Sequence, residues 1–162
     1  MLRVVMMPDP RSADHDHELA SYVRRARIAL VLIGILYAWT AYGNYHHLRP
    51  WRDGSMFVNQ PTGELGRLID LAYFIVVFTG IASVANLVLA AIGGRRTTLA
   101  IGAALGVFAV YTALRLYQTD GRYLSTWQWW VTALALGIGV QAAYKANQLR
   151  RSRQLANARV VA

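Results

Sequence analysis

Two charged residues lie inside apolar segments of this sequence, and they are the first candidates for chemistry. Asp70 lies about one helical turn after the start of one segment, and Arg115 about one turn before the end of the next. If both segments are helices joined by a short hairpin, the two side chains lie at similar depth. A charge at that depth is costly unless it is paired or hydrated. The sequence therefore predicts an Asp70–Arg115 ion pair, with a polar site for a proton or an anion, or snorkelling to the interface, as alternatives.

A second cluster of candidate residues follows the first apolar segment. His46, His47, Trp51 and Arg52 place imidazole, indole and guanidinium groups close together at its outer end. These groups can contact a quinone or a lipid headgroup, although an aromatic belt beside a loop has the same composition. We therefore treat these four residues as candidates for an outer-interface site.

No cofactor or metal site is predicted. A two-histidine haem site is not expected, since no further histidine lies in or near an apolar segment. The run from Asp14 to Glu18 carries metal-ligand residue types, but alternating neighbours rarely converge on one ion. The chain has no cysteine, which excludes disulfides and thiolate chemistry.

Small residues at four-residue spacing mark predicted helix-packing faces. Gly102 and Gly106 lie in the third apolar segment, and Ala133, Gly137 and Gly139 lie in the fourth. Such spacing allows helices to approach closely in lipid, where hydrophobicity supplies little force between them. The pattern fits packing inside the protein as well as packing against a partner subunit.

The C-terminal segment is basic, with Arg150, Arg151 and Arg153 following the last apolar segment. Basic residues beside a membrane are attracted to anionic lipid headgroups. Because the segment lacks interleaved aromatic residues, nucleic-acid binding is not expected. The predicted partners are membrane lipids and larger membrane protein subunits.

Composition and segment length together predict an all-α membrane protein with a four-transmembrane-helix bundle. The 162 residues are 56% hydrophobic and 15% charged, with a net charge of +9. A membrane-spanning helix needs about 20 apolar residues. The expected organisation is an N-terminal arm (1–21), a transmembrane domain (22–148) with spans at about 28–45, 68–92, 99–117 and 127–144, an outer loop (46–66), and a basic tail (149–162).

The distribution of basic residues predicts the orientation. More of them flank the ends of the spans that face the two termini than flank the opposite ends, so both termini are expected to be cytoplasmic. All but one of the 17 basic residues are arginine, which is typical of GC-rich bacterial genomes. The expected location is a bacterial inner membrane, with several passes through it.

Span centres that are mostly apolar favour a non-catalytic accessory subunit of a larger inner-membrane assembly, such as an envelope lipid-transport or respiratory complex. A small homo-oligomeric transporter or channel is the first alternative. The second is an outer-interface enzyme or quinone-site protein that uses Asp70, Arg115 and His46. No catalytic residue is assigned, since the sequence lacks phosphate-loop, nucleophile-elbow and metalloprotease motifs.

Overall fold

The computed structural model describes residues 10–52, 63–92, 96–119 and 121–161. Within these ranges the chain forms four α-helices, one short 3₁₀ helix and no strand, which confirms the all-helical prediction. The helices are α1 (Pro10–Arg52), α2 (Glu64–Ile92), α3 (Thr97–Thr119) and α4 (Trp127–Val161), and the 3₁₀ helix is Arg122–Ser125.

Three helices are long and apolar enough to cross a membrane: α2, α3 and the Asp14–Trp51 part of α1. They contain the predicted spans 28–45, 68–92 and 99–117, and they support a membrane protein. α4 is not among the three. Its apolar stretch is interrupted early by Gln128 and late by Gln141, so it is shorter than the usual span. The fourth span, at 127–144, remains a prediction.

α1 is longer at both ends than the sequence interpretation placed it. It includes residues 10–21, which were expected to form an arm, and residues 46–52, which were expected to begin the outer loop. Pro10 suits the first helical position because its missing N–H would be unpaired there in any case. Pro50 removes a backbone donor near the other end, and the helix ends at Arg52. Residues 53–62 of the expected loop lie outside the described residues, and residues 64–66 open α2.

α1 is the central helix of the bundle. It packs most extensively against α2 and α4, and α3 packs against α2 and α4 with a narrower contact to α1. The largest apolar side chains that are fully buried are Leu30, Ile33, Tyr37 and Ile75. All four helices contribute buried apolar residues to the core, and three of these four largest side chains lie on α1.

Two glycines allow close contacts between helices. The Ser83 hydroxyl on α2 donates a hydrogen bond of 2.7 Å to the Gly34 carbonyl on α1. A Cβ added at Gly34 would lie 2.9 Å from Leu87 Cγ, so a larger residue does not fit there without movement. On α4, a Cβ added at Gly139 would lie 2.8 Å from Ile101 Cδ1.

Polar contacts between helices identify one end of the bundle. Arg27 on α1 donates hydrogen bonds to the carbonyls of Ala90 (2.7 Å) and Ala91 (3.3 Å), near the end of α2, and so satisfies carbonyls that the helix leaves unpaired. Arg153 on α4 forms an ion pair with Asp16 on α1. The first half of α1 and the ends of α2 and α4 therefore lie on the same side of the bundle. We call this side the basic end after Arg24, Arg25, Arg27, Arg96, Lys145, Arg150, Arg151 and Arg153.

Candidate functional site

A cleft of about 860 Å³ opens at the end of the bundle opposite the basic end. Its walls come from the second half of α1, the end of α3, the 3₁₀ helix and the start of α4. Small-molecule pockets commonly have volumes of about 300–1,000 Å³. The lining residues are Trp39, Thr40, Tyr42, Gly43, Asn44, His46, His47, Tyr111, Arg115, Gln118, Thr119, Arg122, Thr126 and Gln128.

The lining combines positive charge with hydrogen-bonding and aromatic groups. Arg115 and Arg122 supply two guanidinium groups, and threonine, asparagine and glutamine side chains supply hydroxyl and amide groups. Among the described lining residues there is no aspartate or glutamate. The cleft is therefore suited to a ligand that carries negative charge.

Two local interactions position the wall of the cleft that is formed by α3, the 3₁₀ helix and α4. Gly121 adopts a positive φ of 83°, which glycine does at low cost, and its N–H bonds the Leu116 carbonyl at 3.1 Å. This turn leads directly into the 3₁₀ helix that carries Arg122. The Trp129 indole on α4 donates a 3.2 Å hydrogen bond to the Thr112 hydroxyl on α3, which fixes the two helices beside the cleft.

Arg115 is oriented by neighbours on its own helix. Its Nε donates to the Tyr111 hydroxyl at 3.3 Å, and its Nη1 donates to Gln118 Oε1 at 2.9 Å. The guanidinium carbon lies 5.7 Å from the centre of the Tyr111 ring, within the range of cation–π attraction. Residues three and four positions apart share a helix face, so α3 presents this arrangement to the cleft as a unit.

The structure places the predicted residues His46 and His47 in the same cleft as Arg115. The His46 ring lies parallel to Tyr42, one turn earlier on α1, with their ring centres 6.3 Å apart. The His47 ring centre lies 6.5 Å from that of His46. Both histidines are exposed and accessible to a ligand in the cleft.

No ion pair between Asp70 and Arg115 appears among the contacts of the described residues. Asp70 is exposed on α2 and does not line the cleft, and the contacts of the described residues include no bond between the two side chains. The reason is geometric: Arg115 lies on the face of α3 that borders the cleft, where Tyr111 and Gln118 accept its hydrogen bonds.

Of the other two candidates at the end of α1, Trp51 is not among the described residues that line the cleft. Trp51 is half-buried near the last residue of the helix. Arg52 closes the helix, and its side chain lies outside the described part of the chain. The outer-interface cluster is therefore divided, with its histidines in the cleft and Trp51 beyond it.

The small residues predicted to mark packing faces fall into two groups. Gly139 is buried, where it allows α4 to approach α1 and α3, and Ala133 is half-buried. Gly102, Gly106 and Gly137 are exposed, and a Cβ added at any of them would meet no atom within 4 Å. Only Gly139 of the four glycines therefore serves a close approach inside the described bundle.

The basic tail continues α4, and its arginines have different surroundings. Arg153 pairs with Asp16 and so binds the tail to the first turns of α1. Arg151 is exposed and Arg150 is half-buried. Binding of these residues to a lipid surface remains a prediction.

Potential metal ligands do not cluster in the described ranges. No group of three histidine, aspartate or glutamate side chains there lies close enough to hold a metal ion. The described residues of the Asp14 to Glu18 run are exposed along α1.

Sequence reasoning missed several residues of the cleft, chiefly Tyr111, Gln118, Arg122, Thr126 and Gln128. A signal for the first two was present, since they lie four residues before and three residues after Arg115 and so share its helix face. The contribution of the 3₁₀ helix and α4 depends on how the helices pack, which spacing alone does not reveal.

Comparison with models of known protein families, with curated protein sequences and with solved structures finds no match to this chain. Its function is therefore argued from its own geometry.

Proposed function

We propose that this chain is a membrane protein that binds a small organic anion, such as a phosphate monoester or a carboxylate, in the cleft. The observation that carries the proposal is the convergence of Arg115, Arg122, His46 and His47 on one cavity, with no carboxylate among its described lining residues. Charged hydrogen bonds from arginine to phosphate or carboxylate are among the strongest that proteins form.

The cleft is also preorganised for binding. Tyr111 and Gln118 hold the Arg115 side chain, so less conformational freedom is lost on binding. Trp39 and Tyr42 supply exposed aromatic surface against which an apolar part of the ligand can pack. The preferred ligand therefore combines one anionic group with a ring or a short apolar body.

Calorimetric titration of the full chain in zwitterionic nanodiscs with phenyl phosphate tests this proposal. Arg122→Gln removes a lining cation and is expected to weaken binding about tenfold. Arg67→Gln is the matched control, because Arg67 is exposed near the start of α2, at the same end of the bundle, but does not line the cleft. Absence of binding to the unmodified chain, or equal weakening by both substitutions, would contradict the proposal.

A second candidate function is that of an accessory subunit in a larger inner-membrane assembly. Gly102 and Gly106 on α3 and Gly137 on α4 support it, because they are exposed and unused by the described internal packing. In lipid, such residues permit a partner helix to approach closely.

Co-purification from the source membrane tests the accessory role. Gly102→Leu is expected to release larger membrane proteins that accompany the unmodified chain. Gly80→Leu is the control, since a Cβ at Gly80 on α2 also meets no atom within 4 Å. Retention of the same partners by both variants would show that α3 does not contact a partner through Gly102.

We also propose four membrane spans, including α4, in a bacterial inner membrane with both termini in the cytoplasm. The concentration of arginine and lysine at the basic end supports this orientation, since cytoplasmic flanks of spans carry an excess of basic residues. The cleft then faces the periplasm, where water-soluble anions have access to it.

A further inference from the structure

A groove of about 390 Å³ lies between α1 and α2 at the basic end. Ile28, Val31 and Leu32 on α1 and Leu87 on α2 supply its apolar wall, and Arg24 and Arg27 also line it. The α1 residues follow a spacing of three and four, so they form one stripe that begins with charge and continues with apolar side chains.

The two arginines of the groove have different surroundings. Arg27 is held by its hydrogen bonds to the carbonyls of Ala90 and Ala91, so its positive charge is fixed beside the groove. Arg24 is exposed, and the structure gives it no hydrogen-bond or ion-pair partner among the described residues. Arg24 is therefore the group that can bind a ligand directly.

The apolar part of the groove is open to the surroundings of the bundle. Ile28 and Leu32 are each about half exposed, at 50% and 49%. Both helices are long and apolar enough to cross a membrane, so this surface is one that lipid chains cover. A ligand that fits must offer negative charge at one end and hydrocarbon at the other.

We infer that the groove is a binding site for an anionic phospholipid. The phosphate group contacts Arg24 within the positive field of Arg27, and an acyl chain lies along Ile28, Val31, Leu32 and Leu87. A zwitterionic lipid binds less well, because its own cationic group offsets the attraction of the phosphate for arginine. This site is at the opposite end of the bundle from the cleft, and it does not depend on the function proposed for the cleft.

Native mass spectrometry of the full chain, released from nanodiscs with equal amounts of phosphatidylglycerol and phosphatidylcholine, tests the inference. The unmodified chain is expected to retain mainly phosphatidylglycerol. Arg24→Gln is expected to reduce that retention about fivefold, the effect of one basic residue at a lipid surface. Retention of both lipids in equal amounts by the unmodified chain would overturn the site.

Arg25→Gln is the matched control. It removes the same charge one residue away, but Arg25 does not line the groove, and its guanidinium lies over the Tyr22 ring at 5.5 Å. Retention is expected to stay within about twofold of the unmodified chain. An equal loss in both variants would show a general effect of surface charge and would overturn the assignment to this groove.

Ala91→Phe tests the apolar part without a change of charge. Ala91 is exposed and lines the groove, so a phenyl ring there occupies space that the acyl chain needs. We expect phosphatidylglycerol retention to fall, with helicity unchanged by circular dichroism. Unchanged retention in this variant would overturn the proposed path of the acyl chain.

Discussion

At the residue scale, the core of the bundle contains a tyrosine hydroxyl for which the described part of the chain provides no hydrogen-bond partner. Tyr37 is 1% exposed, and its hydroxyl has no partner among the described residues. Its ring meets Tyr111 edge to face, with their centres 5.5 Å apart. An unpaired buried polar group costs about 1–3 kcal/mol. The ring of Tyr37 stabilises the core while its hydroxyl opposes folding.

Tyr37→Phe is therefore expected to raise the free energy of unfolding by about 1 kcal/mol, since it removes the unpaired hydroxyl and keeps the ring contact. Tyr111→Phe is the contrasting variant. It removes the acceptor of the Arg115 Nε–H and should lower the unfolding midpoint. Thermal unfolding in detergent measures both, and a lower midpoint for Tyr37→Phe would contradict the account.

At the element scale, the contact between α1 and α2 depends on a glycine that cannot readily be enlarged. Gly34→Ala is expected to destabilise the bundle by about 1–3 kcal/mol, because the added Cβ would lie 2.9 Å from Leu87 Cγ and 3.3 Å from the Ser83 carbonyl oxygen. Gly80→Ala on α2 is the control, since the space there is open. Unfolding by denaturant compares them, and equal stability of the two variants would contradict the proposed close approach.

The cross-helix hydrogen bond at the same contact gives a second prediction. Ser83→Ala removes the donor to the Gly34 carbonyl and is expected to cost about 0.5–1.5 kcal/mol. Thr40→Ala is the comparison, because Thr40 donates to the Leu36 carbonyl within α1 and joins no second helix. Its loss should affect unfolding less, and the reverse order would argue against Ser83 as a link between helices.

The elements were largely predictable from the sequence because long apolar segments have few alternatives in a membrane protein. The helix ends were less predictable. Residues 46–52 were expected to lie in a loop, yet the polar and aromatic run there continues α1. The packing role of Gly34 was also missed, because its importance comes from Ser83 and Leu87 on another helix.

At the scale of the whole molecule, the bundle has a basic end and a cleft end. The orientation in the membrane can therefore be tested by measuring on which side of the membrane each end is accessible. The chain has no cysteine, so single cysteines can be introduced without background labelling. Ser125 lies at the cleft end and Ser152 at the basic end, and both are exposed.

Ser125→Cys is expected to react with a membrane-impermeant maleimide in cells whose outer membrane has been permeabilised and whose inner membrane is intact. Ser152→Cys should react only after the inner membrane is opened as well, because the basic end is expected in the cytoplasm. The opposite labelling pattern would reverse the proposed orientation.

The site was predictable only in part. His46, His47 and Arg115 could be selected because polar groups near the end of an apolar helix are costly and conspicuous. The described contacts include none between Asp70 and Arg115, since a match in depth does not ensure that two side chains face each other. Arg122 and Gln128 join the cleft through the turn after α3, and that position follows from the fold.

The central claim, that the cleft binds an anion, is tested most directly by locating a heavy anion in crystals of the full chain. Tungstate has the shape and charge type of phosphate, and its anomalous scattering marks its position. The account predicts a peak in the cleft in contact with Arg115 or Arg122. Peaks confined to the arginines of the basic end, with none in the cleft, would contradict it.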